Sequence, residues 1–165
     1  IQVAGLTIAT DPIFGDSTWP FRRMTRSGIS WTMIPSIDVV VISHNHPDHL
    51  NKKSIHAIVK KNPKVQFLVP LGDKQWFEKQ GIMAVNEYTW WDYQDITSSF
   101  SGNTVRFSFL PAHHWSGRGL FDYNKSLWGS WMIQSPGQTI YFAGDTAYGN
   151  HFKAIRQEFK TIDIA

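Results

Sequence analysis

Three histidines and one aspartate are clustered in the segment His44-Asn45-His46-Pro47-Asp48-His49. His44 and His46 are two residues apart, so in an extended chain their imidazoles point to the same side and can bind one cation. Asp48 and His49 follow directly and can reach a second cation nearby. Neutral imidazole and ionised carboxylate are ligands for zinc, manganese and iron, and the chain has no cysteine. The spacing therefore predicts a metal site and not a chance group of surface histidines.

Two later segments carry the same types of side chain directly after apolar stretches. His113 and His114 follow residues 107–112, and Asp145 follows residues 139–143. Binding sites in α/β proteins lie beyond the ends of strands, so we expect these side chains on one rim with the first cluster. Either His113 or His114 could be the ligand on this pattern alone.

The elements that position these residues are short apolar strands and a few helices. Strands are predicted over Leu6–Thr10, 39–43, 66–69, Val85–Tyr88, Thr104–Leu110, 130–134 and 139–143, after an opening strand pair within residues 1–9. Helices are predicted over 51–62, 73–80 and 150–159, the second beginning with Asp73 as its capping residue. His56 is then a surface residue in the middle of a helix. Strands outnumber helices, which predicts one α/β (α+β) domain over residues 1–165.

The composition excludes several classes of function. The chain has 165 residues, of which 42% are hydrophobic and 18% charged, as in globular domains. The net charge of +3 comes without a run of Lys or Arg, so nucleic-acid binding is not expected. No apolar run is long enough to span a bilayer and no signal peptide is evident, which leaves the compartment and the oligomeric state open.

The order of these motifs resembles that of the metallo-β-lactamase fold superfamily. The segment from His44 to His49 matches its His-x-His-x-Asp-His signature, and Thr10-Asp11-Pro12 resembles its first motif. His114 matches the later single histidine, and Gly144-Asp145-Thr146 matches the Gly-Asp-Thr segment. The resemblance covers essentially the whole chain and implies a four-layer αββα sandwich. Because the chain begins and ends within strand-like segments, we expect this sandwich to be incomplete at both ends, with the last strand beyond residue 165.

A narrower resemblance concerns residues 111–118, 127–131 and 141–146, which look like the N-acylphosphatidylethanolamine-hydrolysing phospholipase D branch. It implies a small-molecule or lipid-like phosphodiester substrate and a site with two divalent metals, zinc being expected. The residues carried over are His44, His46 and His114 for one metal, Asp48 and His49 for the other, and Asp145 as a bridge. The family's final histidine has no match here, since His151 follows Asp145 too closely, so this ligand is expected beyond Ala165.

Four further residues are weaker candidates. Asp11 either accepts a hydrogen bond from a ligand histidine or the ligand loop, or caps a turn before Pro12. His113 and Trp115 are expected beside the metals or the substrate. Arg118, together with Lys125, is a candidate phosphate contact.

The expected reaction is hydrolysis by a hydroxide that bridges two metals, with Asp48 orienting the water or moving its proton and Asp145 bridging. No serine or cysteine nucleophile is needed, and no Gly-x-Ser-x-Gly motif occurs. The leading hypothesis is a phosphodiesterase of the phospholipase D type. The alternatives are a lactone or other carbon-ester hydrolase on the same site, and an inactive or partial metal-binding module.

Contact with a membrane surface is a further hypothesis. Residues 14–31 contain aromatic and basic side chains that could form an apolar rim with cations, or else an ordinary loop that packs its tryptophans on the domain. These side chains are Trp19, Phe21, Arg22, Arg23, Arg26 and Trp31.

Overall fold

The computed structural model of the chain describes residues 1–14, 24–25 and 27–165. The strands are β1 (Gln2–Val3), β2 (Leu6–Thr10), β3 (Val39–Val41), β4 (Gln66–Pro70), β5 (Val85–Tyr88), β6 (Tyr93–Thr97), β7 (Thr104–Leu110), β8 (Ser130–Ser135) and β9 (Gln138–Phe142). The helices are α1 (Lys52–Lys61), α2 (Lys74–Glu78) and α3 (His151–Glu158), with a short 3-10 helix at Trp31–Met33. No helix among these described residues combines the length and apolarity that a bilayer span requires.

The strands form two sheets. The first has the order β1-β2-β3-β4-β5, in which β2 to β5 are parallel and β1 is antiparallel. The second has the order β6-β7-β8-β9 with antiparallel neighbours. Thr10 pairs with Val41, so the parallel strands β2 and β3 end at the same edge. The residues that follow these two strands are therefore brought together there.

Alternating side chains separate the core into layers. Val39 and Val41 of β3 pack between the two sheets, against Phe107 and Trp131 of the second sheet. Val40, between them in sequence, points to the other face of the first sheet. Both faces of β3 are thus buried, which explains its continuous valine run.

Helices cover the two outer faces. Ile55 of α1 and Phe77 of α2 pack on the first sheet, while Ile155 of α3 packs with Met132 on the second. Asn51 stabilises the start of α1, because its side chain accepts a hydrogen bond from the Ser54 amide at 3.0 Å. The resulting order of layers is α, β, β, α, so the predicted fold class is confirmed.

Two details of the sequence prediction were wrong. Strand β6 was missed, because in Tyr93–Thr97 the buried residue is Ile96 and the polar neighbours hide the strand pattern. Asp73 stands at the N-cap position of α2, as predicted, but its side chain makes no capping hydrogen bond: its carboxylate accepts from Asn45, while Glu87 accepts from the amide of Lys74 at 2.7 Å. A distant strand thus supplies the acceptor that a local cap was expected to provide.

Candidate metal centre

Three imidazole nitrogens converge where two strands end. Nε2 of His44 lies 2.8 Å from Nδ1 of His46, and Nε2 of His114 lies 3.2 Å from each of these atoms. His44 and His46 follow β3 in the first sheet, and His114 follows β7 in the second. The centre is therefore built across the interface between the two sheets.

Contacts between the sheets hold these loops in place. The backbone amide of Gly129, just before β8, donates to the carbonyl of Ser43 at 2.9 Å. The indole of Trp131 donates to the carbonyl of Ile42 at 2.8 Å, and both partners are fully buried. The chain directly before His44 is thereby anchored to the second sheet.

The tautomer of His44 follows from its neighbours. The hydroxyl of Ser43 contacts both Asp11 Oδ2 and Nδ1 of His44. A carboxylate can only accept, so the hydroxyl donates its single proton to Asp11 and must itself accept from Nδ1–H. Nε2 of His44 is left with a free lone pair that faces the other two histidines. This arrangement prepares the ring to bind a metal.

The three histidines are held neutral. Burial, reinforced by the neighbouring histidines, lowers the pKa of His44 to about 2. Burial also lowers the pKa of His46 and that of His114. Metal binding requires neutral histidine, and three imidazole nitrogens that are kept neutral converge here. The donor set therefore fits a divalent metal ion.

His49 lies beside this group and is oriented by Asp11. Its Nδ1 donates to Asp11 Oδ2 at 2.7 Å. Burial lowers the pKa of His49, but the hydrogen bond and the negative charges around it outweigh burial, and the net pKa is raised. Nε2 of His49 faces Asp145, with 3.3 Å to Oδ1.

Asp145 lies between His49 and the three converging histidines. Its Oδ1 faces His49, and its Oδ2 lies 3.9 Å from Nε2 of His114. Its side chain is 48% exposed, so it faces the open side of the centre. A carboxylate in this position can contact two cations at once.

Asp48 is exposed at the mouth of the same centre. Its negative charge acts to raise the pKa of His46, His49 and His114. The role of Asp48 as a ligand and proton carrier stays a prediction.

Asp11, His44 and His49 form a second group whose ligand-type atoms all lie within 4.8 Å of one another. The carboxylate of Asp11 already accepts from the amide and hydroxyl of Ser43 and from His49. We therefore interpret this group as hydrogen-bonded support for the ligands, which is one of the two roles expected for Asp11.

The remaining candidates lie around the centre. His113 is exposed and outside the cluster, and its amide donates to Thr146 Oγ1 at 2.9 Å. The ring of Trp115 packs 4.0 Å from that of His46 and is 42% exposed, so it forms part of the rim. Lys125 is exposed.

Arg118 contacts the loop of residues 44–50, which carries His44, His46 and His49 and is called the ligand loop. Its Nη1 donates to the carbonyls of Asn45 and Leu50 at 2.6 and 2.8 Å. That donor is committed to the loop, which favours a supporting role over the expected phosphate contact. The sequence analysis missed Ser43 and Asn45 as supporting residues, although both lie in or next to the His-x-His-x-Asp-His segment.

Most side chains of the proposed membrane rim lie outside the described residues. These are Trp19, Phe21, Arg22, Arg23 and Arg26. Trp31 is described: it is half-buried, and its ring packs 4.9 Å from that of Phe14. For Trp31, the structure favours the alternative of packing on the domain.

Comparison with known proteins gives matches along the whole chain. The sequence profile of the family described as "Beta-lactamase superfamily domain" matches residues 7–165. An N-acyl-phosphatidylethanolamine-hydrolyzing phospholipase D 1 from Caenorhabditis elegans is 32% identical, over 100% of this chain and 49% of that protein. The mitochondrial enzyme of that name from Saccharomyces cerevisiae is 37% identical, over 94% of this chain and 34% of that protein. The chain thus spans half or less of the length of these curated relatives.

Solved structures are similar in fold. A diiron β-hydroxylase from Streptomyces venezuelae matches 97% of this chain and 30% of its own, with a TM-score of 0.71 at 19% identity. An isothiocyanate hydrolase from gut bacteria of Delia radicum matches 97% of this chain and 64% of its own, with a TM-score of 0.72 at 20% identity. The fold is therefore shared by proteins of different chemistry.

Proposed function

The chain belongs to the β-lactamase superfamily domain family, and we propose on this basis that it is a metal-dependent hydrolase that cleaves a phosphodiester. The observation that carries the proposal is the position of Asp145 between His114 and His49. One carboxylate there lies between His49 on one side and the three converging histidines on the other, where it could serve two metals held side by side.

In this proposal the ligands divide as the family resemblance implies. His44, His46 and His114 would hold one metal, Asp48 and His49 the second, and Asp145 would bridge both. Two bound divalent cations would supply an activated water as nucleophile and would polarise the phosphoryl oxygen. Nitrogen and carboxylate donors without thiolate suit zinc first, with iron and manganese as alternatives.

The protein's own side chains then have distinct tasks. The exposed carboxylate of Asp48, close to the histidines, would orient the attacking water and accept its proton. Trp115 forms an apolar wall against His46 and would shield that side of the centre from solvent. Asp11 and Ser43 keep the ligand histidines in the required tautomer and orientation.

A lipid-like phosphodiester is the preferred substrate class. Two relatives with more than 30% identity are named for hydrolysis of N-acyl-phosphatidylethanolamine. Leu120, Phe121 and Tyr123, on the loop that follows His114, are all more than half exposed, and the ring of Tyr123 lies 5.3 Å from that of Trp115 on the rim, so an acyl chain would find apolar contacts on this loop. The net charge of +3 gives no support for a nucleic-acid substrate.

A carbon-ester hydrolase is the second candidate, since the same centre can activate water against a carbonyl carbon. A partial metal-binding module is the third. It is motivated by the proposed second metal position, where Nε2 of His49 lies 3.3 Å from Asp145 while Nδ1 of His49 already donates to Asp11 and Asp48 is exposed.

A substrate panel on the purified chain tests these possibilities. The protein is loaded in turn with zinc, manganese or ferrous iron and assayed with bis(p-nitrophenyl) phosphate, an N-acyl phosphatidylethanolamine and a lactone. Turnover of the two phosphodiesters that is lost with a strong chelator and restored by metal supports the proposal. Preference for the lactone would favour the carbon-ester alternative. Binding of one or no metal equivalents without turnover would favour the partial module.

A further inference from the structure

The residue between the first two metal-centre histidines faces away from them. Asn45 is buried, and its Oδ1 accepts a hydrogen bond from the amide of Gly117 at 2.8 Å. Its Nδ2 donates to Oδ1 of Asp73 at 3.0 Å. One side chain thus joins the loop of His44 and His46 to the loop that carries His114 and to the start of α2.

A second contact joins the same three parts of the chain. Nη1 of Arg118 donates to the carbonyls of Asn45 and Leu50, the two residues on either side of the His46–His49 turn. Its guanidinium also lies 5.1 Å from the ring centre of Trp76 on α2. Arg118 therefore holds the backbone of the ligand loop from both ends while it packs against the helix.

Asp73 anchors this arrangement at a cost in stability. Its side chain is almost fully buried, and its hydrogen-bonding neighbours are the side chains of Asn45 and Ser126. Burial raises the pKa of Asp73 to about 7. Burying a carboxyl group costs free energy even when it is hydrogen-bonded, so its presence calls for a role that a well-packed apolar residue would not fill.

We propose that Asn45, Asp73 and Arg118 form a positioning clamp that sets the distance between His114 and the pair His44 and His46. These three residues lie outside the group of converging nitrogens of His44, His46 and His114 and act through the two loops that bear these histidines. The proposal rests on the proposed metal-dependent function, which gives the spacing of the histidines its purpose.

The physical argument is preorganisation. The convergence of the three nitrogens at 2.8 and 3.2 Å requires two loops from different sheets to keep one spacing. Groups that orient metal ligands from behind typically contribute about 10- to 100-fold in metal affinity. A side-chain amide that donates to one partner and accepts from another can determine both direction and distance, which apolar packing cannot do.

Asp73 offers a matched pair of variants. Asp73→Asn keeps the acceptor for Asn45, whereas Asp73→Leu removes it in a side chain with the same branching and the same number of heavy atoms. Zinc affinity is measured by competition with a chromophoric chelator, and thermal unfolding of the metal-free proteins is measured in parallel. We expect Asp73→Leu, like Asn45→Ala, to lose about tenfold in zinc affinity and Asp73→Asn to stay within about threefold.

If Asp73→Leu lowers thermal stability but leaves zinc affinity unchanged, the clamp proposal is wrong. The contact between Asn45 and Asp73 would then only stabilise the fold. Imidazole nitrogen chemical shifts of His44 and His114 in the metal-free protein separate the two proposals. If the unmodified chain binds no zinc, the proposed function fails. These chemical shifts still show whether the clamp positions the histidines. The clamp requires them to change in Asp73→Leu and not in Asp73→Asn.

Discussion

The hydroxyl group of Ser43 lies 2.8 Å from Nδ1 of His44 and, because it donates to Asp11, it decides which nitrogen of that histidine is free. Without this hydroxyl the imidazole could carry its proton on either nitrogen. We expect Ser43→Ala to weaken zinc binding by about tenfold. Competition with a chelator measures the change. Ser108→Ala, a buried serine in β7, is the control and should bind zinc normally. Equal affinities in the two variants would contradict the assigned tautomer.

Asp145→Asn tests the bridging carboxylate. Asparagine keeps the shape but removes the negative charge between His49 and His114, so the second metal should be lost and activity should fall at least about a hundredfold. Metal content by elemental analysis and turnover of a phosphodiester report the two effects. Glu158→Gln, the same type of change at an exposed position on α3, serves as the control. Two metals per chain in Asp145→Asn would argue against a bridge.

His113 and His114 should behave differently although they are neighbours. His114→Ala removes one of three converging nitrogens and should lower metal affinity at least about a hundredfold. His113→Ala removes an exposed side chain outside the cluster and should change the metal affinity by less than about threefold. Titration of each variant with zinc makes the comparison. The opposite result would assign the ligand to His113.

Gly144 approaches the ligand loop more closely than a side chain permits. A Cβ on Gly144 would lie 2.5 Å from Cβ of Ser43, and the backbone has a φ of +59°. Gly144→Ala should therefore lower both thermal stability and metal affinity. Gly137→Ala is a matched control, because its φ is +80° and a Cβ there meets open space. Both variants share the left-handed strain, so the difference between them measures the contact with Ser43. A loss of metal affinity of the same size in both would show that this contact does not position the centre.

Asp73 should make the stability of the protein depend on pH. Its folded pKa of about 7 lies above the ordinary 3.8, so the folded state binds the proton more tightly than the unfolded state. The bound proton therefore stabilises the folded state. This stabilisation is fully present below the ordinary pKa and is lost as the pH rises through about 7. Relative to the unmodified chain, Asp73→Asn should gain at least about 1 kcal/mol more at pH 8 than at pH 5. Urea unfolding of both proteins with chelator present measures the free energies. An equal gain at the two pH values would show that Asp73 does not titrate in this range.

Most strands were predictable because their apolar residues report burial directly. In β3 the run of valines is buried on both faces, and in β7 the alternation of Val105, Phe107 and Phe109 marks the face between the sheets. The edge strand β6 lacks this signal, since its stability comes from pairing with β7. The spacing of apolar residues cannot reveal a strand that is extended mainly because it pairs with a neighbouring strand.

The sequence by itself determined which histidines and aspartates are the candidate ligands and their order along the chain, because such side chains clustered after apolar strands leave few other chemistries. Tertiary structure decided which atoms meet: Nε2 of His44 and not Nδ1 faces the other histidines, and Asp145 lies between His49 and His114. It also placed His114, which the resemblance favoured, in the cluster and left His113 outside it. The same holds for Asn45, Asp73 and Arg118, whose partners lie 28 to 73 residues apart in sequence. Distances between loops of two different sheets depend on how those sheets pack, and no pattern within either segment encodes that packing.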